Sequence, residues 1–186
     1  MGLAMGGAQV ASAKDATAGY WNPAGLTGIK EQANVGLMHA DYFGGIAKYD
    51  GTTWIVYTPS NSGLPTTEVK DIDVDAQNNI WIGCNLGLIK FDGLNWVLFT
   101  AANSGLSVNN GVKDVEVDEV TNKVYAVTVF SVDIYDNGIW SHINSSNSPI
   151  VTGNLAEVDA HGDTVIVGLS GSSSGCWIFE DRKSVV

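Results

Sequence analysis

The chain has 186 residues, enough for one medium domain with a sizeable core. Its formal net charge of −11 argues against a nucleic-acid binder, because nothing supplies the Lys/Arg stripe that phosphates need, and against an anionic membrane surface on the same ground. No run approaches the roughly 18 apolar residues of a spanning helix, and 22 glycines favour short strands and tight turns over helices.

Residues 1–34 are small, Gly- and Ala-rich and aperiodic. The start, MGLAMGGAQVASAKDA, has neither a basic n-region nor a strongly apolar h-region and is not a secretory signal. A short helical turn is expected around Ala11–Tyr20, ended by Pro23, with the rest irregular. Gly6-Gly-Ala-Gln-Val-Ala11, Asp15-Ala-Thr-Ala, Tyr20-Trp-Asn-Pro-Ala-Gly-Leu26 and Val35-Gly-Leu-Met-His-Ala-Asp-Tyr-Phe-Gly-Gly-Ile46 resemble the mature N-terminus and first strand of PorV/PorQ-type outer-membrane proteins. In that family the segment opens a many-stranded barrel. A barrel in lipid must close to pair its edges, and residues 35–50 cannot close one, so the resemblance implies an envelope location but no membrane insertion by this chain alone.

From residue 35 the chain reads as strands. A partial first blade is expected near 35–57, with strands over Val35–Ala40, Gly45–Tyr49 and Thr53–Tyr57. Then an internal repeat sets in. Trp54-Ile-Val-Tyr-Thr-Pro-Ser-Asn61-Ser-Gly-Leu64 returns as Trp96-Val-Leu-Phe-Thr-Ala-Ala-Asn103-Ser-Gly-Leu106, and more loosely as Trp140-Ser-His-Ile-Asn-Ser-Ser-Asn147-Ser-Pro-Ile150. An acidic alternating run follows each time: Val69-Lys-Asp-Ile-Asp-Val-Asp75, Val112-Lys-Asp-Val-Glu-Val-Asp118, Leu155-Ala-Glu-Val-Asp159. Two more runs close each unit: Ile80–Gly83 with Leu88–Gly93, Val124–Val127 with Val132–Asn137, Val165–Gly168 with Trp177–Glu180.

Four short strands in about 42 residues is the period of a β-propeller blade, whose sheet needs stacked neighbours to bury both faces. The expected fold is therefore all-β: an open or imperfectly closed propeller-like arc of about four four-stranded antiparallel blades, near 35–57, 69–99, 112–143 and 155–180. Two are complete and two partial, and residues 1–34 form a separate irregular segment. DGTTW, DGLNW and DNGIW read as hairpins from third to fourth strand, with Gly at positive φ. Trp54, Trp96 and Trp140 are expected to wedge against neighbouring blades. NSGLP, DIDVD, NNIWIG and GLIKFDG resemble the two-component-regulator propeller repeat over about residues 46–180. That family occurs in periplasmic sensor domains and secreted proteins of Bacteroidetes-type bacteria.

The best candidates for chemistry are acidic. Asp71, Asp73 and Asp75, then Asp114, Glu116 and Asp118, then Glu157 and Asp159 each share one face of a strand by period-two alternation. If these strands are innermost, the carboxylates converge towards the propeller axis; Asp71, Asp73, Asp114 and Glu116 are then weak candidates for a cation. Asp71–Asp75 fails as a calcium loop, with Ala76 where Gly is wanted and Ile82 where Glu is wanted. Asp75 and Asp118 are expected to stabilise the Gln77-Asn-Asn and Val120-Thr-Asn turns. His39, His142 and His161 share no spacing, and no GxSxG occurs. Cys84 and Cys176 sit without CxxC or a neighbouring His, which argues for buried small hydrophobes rather than zinc. Gly168–Gly175 lacks the Lys of a phosphate loop. The reading assigns no catalytic residue, no cofactor and no metal.

What remains is a non-enzymatic interaction or scaffold module of the bacterial cell envelope, linked by resemblance to type IX secretion. Its expected partners are proteins, or a second copy through open strand edges. The alternatives are a glycan-sensing propeller fragment of a two-component regulator, and a fragment of a propeller lyase or glycosidase.

Overall fold

The computed structural model describes residues 34–38, 44–49, 52–107, 111–150, 155–162, 164–170 and 175–180. The expected helical turn at Ala11–Tyr20 and most of the PorV-like segment lie outside them. The described residues are all-β, in four antiparallel sheets taken in chain order. The first blade holds β1 (Asn34–Met38), β2 (Gly45–Tyr49) and β3 (Trp54–Tyr57). The second holds β4 (Val69–Val74), β5 (Ile80–Cys84), β6 (Gly87–Phe91) and β7 (Trp96–Phe99). The third holds β8 (Asp114–Val117), β9 (Val124–Val127), β10 (Ser131–Asp136) and β11 (Ile139–Asn144). The fourth holds β12 (Leu155–His161), β13 (Thr164–Leu169) and β14 (Gly175–Glu180).

Each sheet is a meander, so only short turns are needed. In the Asp92–Asn95 hairpin Gly93 takes φ +93°, and Asn137-Gly138 takes +49° and +92°, the paired positive values of a type I′ turn. Both meet the sequence expectation; Gly51 of the third such motif lies outside the described residues. Asp92 reinforces its turn by accepting the Leu94 and Asn95 amides.

The first strands β1, β4, β8 and β12 lie side by side as an inner row, and packing runs between successive blades. Because strand side chains alternate between faces, every blade presents one apolar set backwards and one forwards. Ile46 and Leu64 meet Ile80, Ile82, Ile89 and Phe91 between the first and second blades. Trp81, Leu88 and Leu106 meet Val115, Val117 and Ala126 between the second and third. Tyr125, Val127 and Val132 meet Val158, Val165 and Val167 between the third and fourth. Each fully buried aliphatic or aromatic side chain contributes about 1.5–3 kcal/mol, so these three seams carry the hydrophobic stability.

The Asn-Ser motif after each fourth strand is a turn device. Asn61 accepts the Thr58 amide and donates to the Val56 carbonyl, while Ser62 Oγ donates to the Thr58 carbonyl. Asn103 and Ser104 make the same bonds around Thr100 and Leu98. Asn147 and Ser148 repeat them around Asn144 and His142. The turn drops Leu64, Leu106 and Ile150 into the seams. Gly63 and Gly105 then lie flat on the rings of Trp96 and Trp140; an added Cβ would sit 2.5 and 2.4 Å from ring atoms. The tryptophan wedge is thus real for Trp96 and Trp140, each clamped by the loop of the blade before it. Trp54 stands at the start of the stack and is 48% exposed.

Candidate functional site: the inner-strand carboxylates and the Asp133 network

Period-two alternation does put each acidic set on one face. That face looks at the next blade rather than down an axis, because an innermost strand turns its backbone edge, not its side chains, towards the axis. The carboxylates therefore bridge sideways. Asp71 Oδ2 accepts the Val115 amide at 2.9 Å, and Asp73 Oδ2 accepts the Val117 amide at 2.6 Å, each 44 positions on. One blade later Asp114 Oδ2 accepts the Val158 amide at 2.7 Å, again 44 positions on. Among the described residues β8 and β12 each pair with one strand only, so the N–H groups of their other edge need acceptors. The preceding blade's Asp supplies them. β1 carries no acid, and the Val74 amide on β4 is taken by Asp73 of its own strand.

The turns beyond these strands are tied in the same direction. Asp75 accepts the Gln77 and Asn79 amides and the Trp81 indole, as expected of a turn carboxylate. Asp118 accepts the Val120 amide within its own turn and the Gly162 amide of the fourth blade. Asn122 links back to the Ala76 amide and the Gln77 side chain. Lys113 Nζ donates to the Leu155 carbonyl at 2.7 Å.

Gathering carboxyls along the inner row of strands has an electrostatic consequence. Burial pushes Glu116 up to about 8, aided by the charges of Asp73, Asp159, Asp114 and Asp71. Burial pushes Asp114 up to about 7 against the pull of the Val158 amide, with Asp71 adding repulsion and sharing a hydrogen bond. Asp71 and Asp73 are also raised by burial, against the amides of Val115 and Val117 respectively. Burial and mutual repulsion thus make these carboxyls easier to protonate than ordinary ones; among the described residues no group of three or more His, Cys, Asp or Glu has an arrangement that could hold a metal ion.

A second polar cluster escaped the sequence reading. Asp133 on β10 is fully buried. Its Oδ1 meets His142 Nδ1 at 2.9 Å and accepts from Ser131 Oγ at 2.8 Å. Its Oδ2 accepts the Ser107 amide at 2.8 Å and Ser107 Oγ at 2.9 Å. Thr128 closes the network through Ser131. The carboxylate fixes the imidazole, but the hydroxyls bond the carboxylate, and among the described residues none bonds the imidazole, so this is not the Ser–His–Asp relay of an acyl transferase. A signal was present: aligned repeats put Asp133 where the second blade has Ile89 and His142 where it has Leu98. His142 has its partner directly across the ladder, a relation that spacing in the chain does not reveal. The two cysteines divide: Cys84 is buried as expected, whereas Cys176 is exposed on the last blade.

No protein-family profile and no curated protein sequence matches the chain. Solved structures do. The extracellular domain of BT3049 from B. thetaiotaomicron, described as a hybrid two-component system, is similar at TM-score 0.59 and 16% identity, over 75% of this chain and 19% of that one. PorZ, described as an essential bacterial surface component of the type-IX secretion system of Porphyromonas gingivalis, is similar at TM-score 0.57 and 15% identity, over 82% of this chain and 24% of that one. The chain therefore spans about a fifth to a quarter of the length of these two structures. At such identities the likeness is one of fold, and the fold is that of propeller-like domains.

Proposed function

We propose that the chain is a non-enzymatic protein-interaction module of the bacterial cell envelope. The observation that carries the reading is a stack of blades whose fold is shared with the extracellular domain of a two-component system and with a surface component of a secretion system. The chemistry of the seams supports it. The inner-strand acids serve as blade fasteners and the Asp133 network is turned inward, which leaves the loops as the surfaces offered to partners. The finer link, to type IX secretion, is supported by the PorV-type residues of the head together with the PorZ-like fold. A glycan-sensing propeller is the second reading, supported by the likeness to the BT3049 domain.

Cross-linking of the tagged full chain in its source bacterium, followed by fractionation, tests the proposal. The expected result is an envelope fraction with a defined protein adduct. A chain confined to the cytosol, or one that turns over a polysaccharide, would overturn it; saturable glycan binding without a protein adduct would favour the second reading.

A further inference from the structure

The Asp133 network stands where the other blades have apolar pairs. The ladder sets Asp133 opposite His142 at the place where the second blade pairs Ile89 with Leu98 and the first pairs Ala47 with Val56. Ser131, which donates to Asp133, falls at the place of Gly87. Ser107, which gives Asp133 Oδ2 both its amide and its hydroxyl, falls at the place of Pro65, which has neither. Stability does not account for the exchange. A buried carboxylate costs free energy unless its oxygens are fully bonded, and an apolar pair of similar volume fills such a place as well or better. Asp133 is fully buried, and its bonds run to Ser131 and His142 of its own blade and, across the seam, to Ser107.

Ser107 arrives by a route that identifies the blade it comes from. It follows the Asn103–Ser104 turn, which is tied to the end of β7 by the Asn103 bond to the Leu98 carbonyl and the Ser104 bond to the Thr100 carbonyl. Leu106 then plugs the seam, as Leu64 does one seam earlier. The residue after the plug is therefore carried by the blade beneath: Pro65 on the first, Ser107 on the second, Val151 on the third. Much of the remaining contact is common to the repeat, since Gly63 meets Trp96 as Gly105 meets Trp140. Apolar burial by itself thus separates a right neighbour from a wrong one poorly, and misassembly among like units is a characteristic failure of repeat proteins.

We propose that the back face of the third blade is an interface keyed to the second blade, with Asp133 reading the blade beneath it through Ser107. On the first blade's forward face Asp133 would meet Pro65, which has no donor for Oδ2. A back face like that of the second blade, with Ile89 and Leu98, would leave the Ser107 amide and hydroxyl without an acceptor. Each wrong pairing is penalised and the right one is not, so the order of the blades is set by exclusion.

Refolding of the full chain from denaturant tests it, with the recovered protein read by sedimentation and amide exchange. The wild type is expected to return to one species with its original protection. Asp133→Ile/His142→Leu installs the second blade's residues at those places and is expected to melt no earlier than the wild type. Its misassembled fraction is nevertheless expected to be about tenfold larger, the factor that a stranded polar group costs. Ser107→Ala is expected to lower the folding equilibrium constant about tenfold in the wild type and less than about twofold in the Asp133→Ile/His142→Leu background, where its carboxylate is already gone. An apolar-pair variant that refolds as cleanly as the wild type would overturn the proposal. So would one that melts earlier or fails to fold, because the network would then be held for stability. Equal effects of Ser107→Ala in the two backgrounds would overturn it too, since Asp133 would not be reading Ser107.

Discussion

The seam between the second and third blades and the seam between the third and fourth use one repeat, yet they are fastened differently. The earlier seam has both carboxylate clips, Asp71 to Val115 and Asp73 to Val117. It also has an aromatic cluster, with Trp140 edge-on to Phe99 and Tyr135 at ring distances of 5.7 and 5.2 Å, and Gly105 flat on the Trp140 ring. The later seam keeps one clip between inner strands, Asp114 to Val158, and a core that is aliphatic apart from Tyr125. At the position of Gly63 and Gly105 it has Pro149. The lesson is that a motif residue is kept where a neighbour uses it. Gly is required only under a tryptophan, and the fourth blade places no fourth strand among the described residues to carry one.

The largest expected effect follows from that glycine. A Cβ at Gly105 would sit 2.4 Å from the Cβ and Cγ of Trp140, both too close to the backbone to swing away. Gly105→Val should destabilise the fold by about 3 kcal/mol or more, as overpacking does. Pro149→Ala should change stability by no more than about 0.5 kcal/mol, the range of surface changes. Chemical denaturation of both variants makes the comparison; equal losses would mean that the two loops carry equal packing.

The clips come next. Asp73→Ala strands the Val117 amide, and a buried donor left unpaired costs about 1–3 kcal/mol. The loss should be smaller for Glu116→Ala, whose carboxyl is pushed up by burial and then by the charges of Asp73, Asp159 and Asp114. Thermal melts of the two variants at pH 6 should rank Asp73→Ala as clearly the less stable.

A smaller effect is carried by pH. Asp114 and Glu116 have folded values of about 7 and about 8, above the ordinary carboxylate range. The native state therefore holds protons that the unfolded chain has released. This contribution to stability is complete below about pH 4, declines upward, and is lost once pH passes those folded values. Part-exposed groups are screened, so a fall of about 1–2 kcal/mol between pH 5 and 9 is expected, a few degrees in Tm. Glu116→Gln should flatten the profile. A melting temperature that rises over this interval would contradict the assignment.

Much of the fold was legible because the repeat exposes its own boundaries. The strands expected at Gly45–Tyr49 and Thr53–Tyr57 appear at Gly45–Tyr49 and Trp54–Tyr57, and the three of the last blade appear within a residue or two of their expected ends. The turn glycines and the Asp75 and Asp118 turns were legible too, since their bonds are local. What alternation could not give was the object that each face meets. Period two places Asp71 and Asp73 together, but only blade stacking shows that the nearest groups in need are the amides of Val115 and Val117. The Asp133–His142 pair was hidden for a related reason: its members lie on adjacent strands and depart from the repeat, so alignment marks them as exceptions without joining them.

In this fold the inner-strand acids are fasteners between blades. Amide hydrogen exchange at Val115 and Val117, in the wild type and in an Asp71→Ala/Asp73→Ala variant, reads that fastening bond by bond. Both amides should be protected in the wild type and exchange at least about tenfold faster in the variant, a change of about 1.4 kcal/mol in local opening, while Ile82 within the second blade's own ladder keeps its protection. Unchanged protection at Val115 and Val117 would contradict it, because those amides would then have an acceptor other than the carboxylates of the preceding blade.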